Sequence, residues 1–237
     1  MAAITGQFNH LGDIQEAIFR GQTSIKARPF KRWQGCDLLL ESLLNGQAIE
    51  GGFLESVKFK YTDFHIPPKE ISDILPQQLL MLKVAARALQ DAKMSHRERR
   101  LKTGAIVGID FDFETTDYHL RWNMPNAVAK WRSKYSLNLD ESSALKWTET
   151  LKNIYHPPLT ASRTMGSLGS MVASRLAREF RLGGASFAVS CDSASGLKAL
   201  EIAVRLIQQK ELDTALVGAV DLCGDARQVL SFGQWRP

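Results

Sequence analysis

The chain has 237 residues, 44% hydrophobic and 23% charged, with a net charge of +5, a size and balance that fit one large globular core or two small ones. Its longest apolar runs, such as AIVGI at 105–109, are far too short to span a bilayer. Cys36, Cys191 and Cys223 show no CxxC spacing, and His10, His65, His96, His119 and His156 are scattered singly, which argues against a bound metal and for a reducing, cytoplasmic setting.

The N-terminus, MAAITGQFNHLG, lacks the basic start and long apolar run of a secretory signal, and MAAITGQF predicts a first strand. GDIQEAIFRGQTSI places Ile14, Ala17 and Ile18 at helical spacing. FLESVKF predicts a short strand. ISDILPQQLLMLKVAARALQDAKM holds the clearest helix of the front half. In it Leu79, Leu82, Ala86 and Leu89 stack on one face, and Pro76 sits where a first turn tolerates it. The densest basic run, HRERRLK at 96–102, reads as a solvated helix end or turn. No aromatic residues interleave with it, so it is a poor nucleic-acid platform. TGAIVGID, apolar throughout, predicts a strand covered on both faces.

Residues 114–160 are polar and aromatic, with helix-like pieces around Asn126–Tyr135 and Glu141–Ile154, and read as an insertion over the sheet. PPLTASR breaks the chain before a small-residue helix, GSLGSMVASRLAREF, whose Gly166, Gly169, Ala173 and Ala177 suit close packing between layers. GGASFAVS (turn and strand), ASGLKALEIAVRLIQQKE (helix) and DTALVGAVDLCG (strand) complete the order. Strands and helices in this alternation predict an α/β fold with a largely parallel sheet.

Several motifs fail on inspection. Neither GAIVG nor GSLGS fits a phosphate-binding loop. Ser193 is not in a G-x-S-x-G elbow, and the S-x-x-K at Ser195–Lys198 follows, rather than precedes, the K-T-G at Lys102–Gly104. What remains is the junction FAVSCDSASGLKAL, a strand running into a helix. A nucleophile at a helix N-terminus gains from unsatisfied amides and the positive end of the dipole. The short side chains of Ser193, Ala194, Ser195 and Gly196 leave room there for a substrate carbonyl. Equally, Asp192 or Ser193 can serve only as a helix cap. The residues alone leave both readings open.

Several blocks, taken in order, bear on the choice. FLESVKFKYTDFHIPPKEISDILPQQLLMLKVAARALQDA matches a stretch ending D-P-Q-Q-R-L-L-L, with Leu75 for the Asp. KTGAIVG matches R-T-G-V-F-V-G. GSLGSMVASRLAREFRLGGASFAVSCDSASGLKALEIAV matches a helix, an L-x-G-P-S strand (Ala185 for the Pro) and a nucleophile helix. DTALVGAVDL and SFGQWRP match the strand and connection that follow. In these blocks the chain resembles the β-ketoacyl synthases, the condensing enzymes of fatty-acid and polyketide synthesis. DYHLRW in the insertion is similar to the synthase-like domains of polyunsaturated fatty-acid and multimodular polyketide synthases.

The resemblance implies a thiolase-like layered fold of which residues 1–237 supply the N-terminal half, truncated before the C-terminal half. It implies acyl transfer and decarboxylative condensation on an acyl carrier protein, whose phosphopantetheine is the substrate arm rather than a bound cofactor. Counted without gaps against V-D-T-A-C-S-S-S-L, Cys191 falls on the Thr and Ser193 on the nucleophilic Cys. Cys191 is then expected on the strand, buried, as a weak alternative nucleophile. Ala194, Ser195 and Met171 are the candidate substrate-binding residues. The family's two histidines and lysine belong to the C-terminal half. A degenerate synthase, or a non-catalytic subunit resembling a chain-length factor, is therefore expected. It would be a homodimer or pair with a ketosynthase, with carrier contacts at Arg97–Lys102 or Arg178 and Arg181. Helices 166–180 and 194–208 are both expected to wait for cover by the second half.

Overall fold

The computed structural model describes residues 1–237 apart from 34, 45, 111–116, 223, 224, 236 and 237. Cys223 and the start of the expected insertion thus lie outside the described residues. The N-terminal region carries helices α1 (Leu11–Phe19) and α2 (Asp37–Leu43) and two-residue strands β1 (Lys26–Ala27) and β2 (Glu50–Gly51), paired antiparallel. The strand expected over MAAITGQF is absent. Thr5 and Phe8 instead bridge across a tight turn, each amide donating to the other's carbonyl at 2.9 Å, with Gly6 at φ +51°. The strand expected over FLESVKF is absent too. That segment runs beside α3 (Pro76–Asp91), where the Lys83 ammonium donates to the Lys58 carbonyl.

The remaining strands and α-helices are β3 (Thr103–Ile109), α4 (Asp117–Lys134), α5 (Glu141–Tyr155), α6 (Ala161–Ser167), α7 (Met171–Glu179), β4 (Ser186–Val189), α8 (Ser195–Gln208), β5 (Thr214–Val220) and α9 (Ala226–Trp235). The last three strands form a parallel sheet in the order β4-β3-β5. Every residue of β3 is buried, as its unbroken apolar run predicts. Pleating sends Ala105 and Val107 to one face and Ile106 to the other. On the first face Met81, Leu82, Ala85 and Leu89 of α3 and Val172, Ala173 and Leu176 of α7 close over the sheet, with Phe180 beneath them. On the second, Ala199 and Ala203 of α8 rest on Ile106. β4 and β5 are the edges, and Phe187 on β4 is exposed.

The helix expected over 166–180 is two helices, α6 and α7, broken where Leu168 turns extended (φ −85°, ψ 113°). A break leaves carbonyls without amide partners. Gln78, fully buried, satisfies them: its Nε2 donates to the Gly166 and Leu168 carbonyls at 2.8 and 2.9 Å, while Arg175 Nε donates to its Oε1. Gly166 is required there, because a Cβ would lie 1.7 Å from the Asp73 carbonyl oxygen.

α7 is therefore not waiting for cover, contrary to expectation; Val172, Ala173 and Leu176 are already sealed against α3 and the sheet. α8 is another matter. Leu197, Leu200, Val204 and Ile207, spaced as one helical stripe, are 74%, 50%, 44% and 41% exposed. α4 and α5 pack on each other as a hairpin, with the Asp140 side chain capping α5 at the Ser143 amide (3.3 Å).

Candidate functional site

The chain leaves β4 at Val189 and enters α8 at Ser195, and the intervening turn lies at the carboxyl end of the parallel sheet. Open α/β sheets place ligands at that end. Asp192 sits in the left-handed region (φ +50°), which Asp tolerates better than most residues. The Ala194 and Ser195 amides close the turn on the Cys191 and Asp192 carbonyls (3.1 and 3.0 Å). Beneath it, Gly108 of β3 admits the first turn of α8, since a Cβ there would lie 2.6 Å from the Ser195 carbonyl carbon.

Ser193 is exposed on this turn, and no group hydrogen-bonds its hydroxyl among the described residues. Ala194, also exposed, is the residue before the first helical position. Ser195 is buried and internally committed: its Oγ accepts from the Cys191 amide at 2.8 Å and donates to the Asp192 carbonyl at 2.6 Å. That hydroxyl ties the two ends of the turn together. Met171 is half-buried at the start of α7. A Cβ on nearby Gly169 would lie 3.3 Å from Ile109 Cδ1, which sets the α6–α7 turn beside the end of β3.

Cys191 is a correction. It was expected buried on the strand; it lies two residues past the end of β4 and is exposed. The strand ends early because the left-handed Asp192 turns the chain back into the helix, and the residue before it goes out with the turn.

The histidines lie elsewhere. His65 and His96 flank Glu179 at the amino end of the sheet, His119 meets the Trp122 ring, and His156 packs on Tyr118. Glu179, 5% exposed, accepts from Arg97 Nε and Nη2 (3.1 and 2.7 Å) and from the His65 amide (3.0 Å). Burial pushes its carboxyl up, but the His65 amide and the Arg97 guanidinium outweigh burial and hold it below the usual carboxylate range. Arg100 donates to the Ser95 carbonyl (2.8 Å) and to Glu98 (3.1 Å), with its side chain 11% exposed. Two of the arginines in the 96–102 run are thus internal ties rather than free charge. Sequence reasoning missed Gln78 and Glu179; a glutamine on an otherwise apolar helix face and a lone acid at a helix end were the only signals.

Comparison with known proteins agrees with the fold. The family model described as "Beta-ketoacyl synthase, N-terminal domain" matches residues 1–237. A polyunsaturated fatty acid synthase polypeptide of Thraustochytrium sp. is 24% identical over 97% of this chain and 11% of its own length. A phenolphthiocerol/phthiocerol polyketide synthase polypeptide of Mycobacterium tuberculosis is 28% identical over 97% of this chain and 9% of its own. Among solved structures, the PfaC keto synthase–chain length factor superposes with a TM-score of 0.79 at 21% identity, over 97% of this chain and 24% of that one. The ketosynthase from module 6 of the Bacillus subtilis bacillaene synthase gives 0.64 at 17% identity, over 98% and 32%. The chain thus spans about a tenth of these curated relatives and a quarter to a third of these structures.

Proposed function

The chain belongs to the β-ketoacyl synthase N-terminal domain family, and from that premise we propose that it is a ketosynthase-like domain of a polyunsaturated fatty-acid or polyketide synthase that does not take an acyl group at Ser193. The observation that carries this reading is the turn between β4 and α8. It offers a helix N-terminus at the carboxyl end of the sheet, and the side chain standing there is a hydroxyl that no base hydrogen-bonds among the described residues. A serine hydroxyl attacks a thioester only when a general base takes its proton. The helix dipole, worth about 1 kcal/mol at most sites, is too weak to substitute.

The same reading gives the other parts their roles. The exposed stripe of α8 is the seat of a complementary C-terminal half, in this polypeptide or another, and the α4–α5 hairpin is an insertion. The outer edge of β4 supports pairing with a second chain, as homodimer or with a ketosynthase. An acyl carrier protein presents its phosphopantetheine arm to the turn; Arg99, Arg178 and Arg181, all exposed, stand at the opposite, amino end of the sheet. The superposition on a keto synthase–chain length factor protein is compatible with a non-catalytic partner role within this reading.

The test is intact-mass analysis of the unaltered chain after incubation with an acyl thioester, followed by peptide mapping. No adduct at Ser193 is expected. A stable ester at Ser193 overturns the proposal. An acyl group on Cys191, which its exposure permits, identifies the weaker alternative nucleophile instead.

A further inference from the structure

A large cavity lies away from the turn, toward the amino end of the sheet. It is an open groove of about 930 Å³ between the C-terminal half of α3 and the segment 58–64, which holds a short 3-10 helix at Tyr61–Asp63. Its apolar floor contains Phe59 and Phe64, whose rings stack with centroids 5.0 Å apart and planes 10° from parallel. Its rim is cationic. Lys83 and Arg87, four apart on α3, share one helical face; Lys93 follows past the helix end; Lys58 and Lys60 stand on the facing segment.

The compensation of these charges is incomplete. Lys60 lies 3.5 Å from Asp63. Lys83 and Arg87 donate to backbone carbonyls, those of Lys58 and Asn9. Among the described residues no carboxylate pairs with Lys58, Lys83, Arg87 or Lys93. Like charges four apart on a helix repel, and burial together with the Arg87 charge pushes the Lys83 ammonium down from its ordinary value. The site holds positive charge at a cost to itself, which a bound anion relieves.

We propose that this groove docks an acidic protein segment, its carboxylates on Lys83, Arg87, Lys58 and Lys93 and one apolar side chain over the Phe59–Phe64 pair. The shape selects this occupant. From Lys83 to Lys93 the cations run along roughly 15 Å of α3 and its extension, a row rather than a nest, and the floor between them is apolar. A lone phosphate group uses neither feature. The inference does not depend on the state of Ser193, which lies at the other end of the sheet.

The test measures binding of a fluorescein-labelled peptide of repeating Glu-Glu-Leu to the full chain by anisotropy, across a salt series. Saturable binding that weakens steeply with salt is expected. The pair Lys83→Glu and Arg87→Glu should weaken it at least tenfold, and so should Lys58→Glu with Lys60→Glu. Lys130→Glu with Lys134→Glu, an equal charge change on α4, should leave it unaltered. The pair Lys83→Gln and Arg87→Gln provides a variant that relieves repulsion; it should melt no lower than the parent and still bind weakly. Equal loss in the α4 control, or no saturable binding, overturns the proposal. Displacement by inorganic tripolyphosphate at concentrations below the peptide's own also overturns it, because the groove is then a phosphate site.

Discussion

On one face of the sheet, α7 turns Val172, Ala173 and Leu176 inward and leaves Ser174 and Arg178 outside. On the other, α8 turns Ala199 and Ala203 inward, flanked by the partly buried Ile202 and Leu206, and turns Leu197, Leu200, Val204 and Ile207 outward. α7 has the pattern of an outer helix, with its apolar stripe facing the core. α8 has the pattern of a middle layer. Alanines allow its backbone to approach Ile106 closely, and the large side chains need a second surface. Contiguous apolar patches of this kind mark contact sites. One face of the sheet is thus completed by its own chain, and the other is prepared for something else.

The sharpest break of this comparison is a matched pair of truncations. Leu176→Ala, on the closed face, should cost about 3 kcal/mol in urea unfolding, because it empties fully buried volume. Leu200→Ala, on the open face, should fall within about 0.5 kcal/mol. Equal costs would mean that α8 is covered after all.

Next in size is Glu179, which fastens the end of α7 to the 63–66 and 95–97 segments through His65, His96 and Arg97. Glu179→Gln should cost about 2 kcal/mol, as for the loss of hydrogen bonds to a charged group. Because the folded state holds this carboxyl below its ordinary range, its contribution is complete above that range. It is lost as pH falls through the depressed folded value. A melting midpoint that falls in acid for the parent, and falls less for Glu179→Gln, is the expected pattern. Parallel curves would remove Glu179 from the account.

The smallest effect on folding, and the plainest on behaviour, belongs to the stripe itself. The parent chain should self-associate in sedimentation, while Leu200→Lys should move it toward monomer with an unaltered melting midpoint. A parent that is already a clean monomer and binds no apolar dye would show that the stripe needs no partner.

Much of this frame was legible in the residues. β3 announced itself by an unbroken apolar run, α3 and α8 by helical spacing, and the junction by crowded small residues after a strand. Tertiary contacts decided the rest. FLESVKF has strand-like residues, but no neighbouring strand among the described residues offers an edge to it, so it lies against α3 through Lys58. The run from Gly166 to Phe180 reads as one helix. It breaks at Leu168 because Gln78, distant in sequence, supplies the donors that the break requires. Arg97 looked like surface charge for the same reason: its partner, Glu179, is 82 residues away. At the site, the count placed Ser193 at the nucleophile position, and in the structure it stands exposed on the turn. It also placed Cys191 on the strand. Alternation fails two residues past Val189, because a left-handed Asp192 is a property of the turn and not of the strand pattern.

The central claim is that position 193 is where this fold presents a nucleophile, and that the residue there is the wrong one. Ser193→Cys in a Cys191→Ser background tests it most directly, through the rate of alkylation by iodoacetamide as a function of pH. The account predicts a single new thiol that reacts faster at neutral pH than free cysteine, since the first-turn amides of α8 favour thiolate. Melting should be unaltered. A Ser193→Cys thiol that reacts no faster than free cysteine, and more slowly than Cys191 does in the parent chain, would contradict the claim and move the reactive position to Cys191.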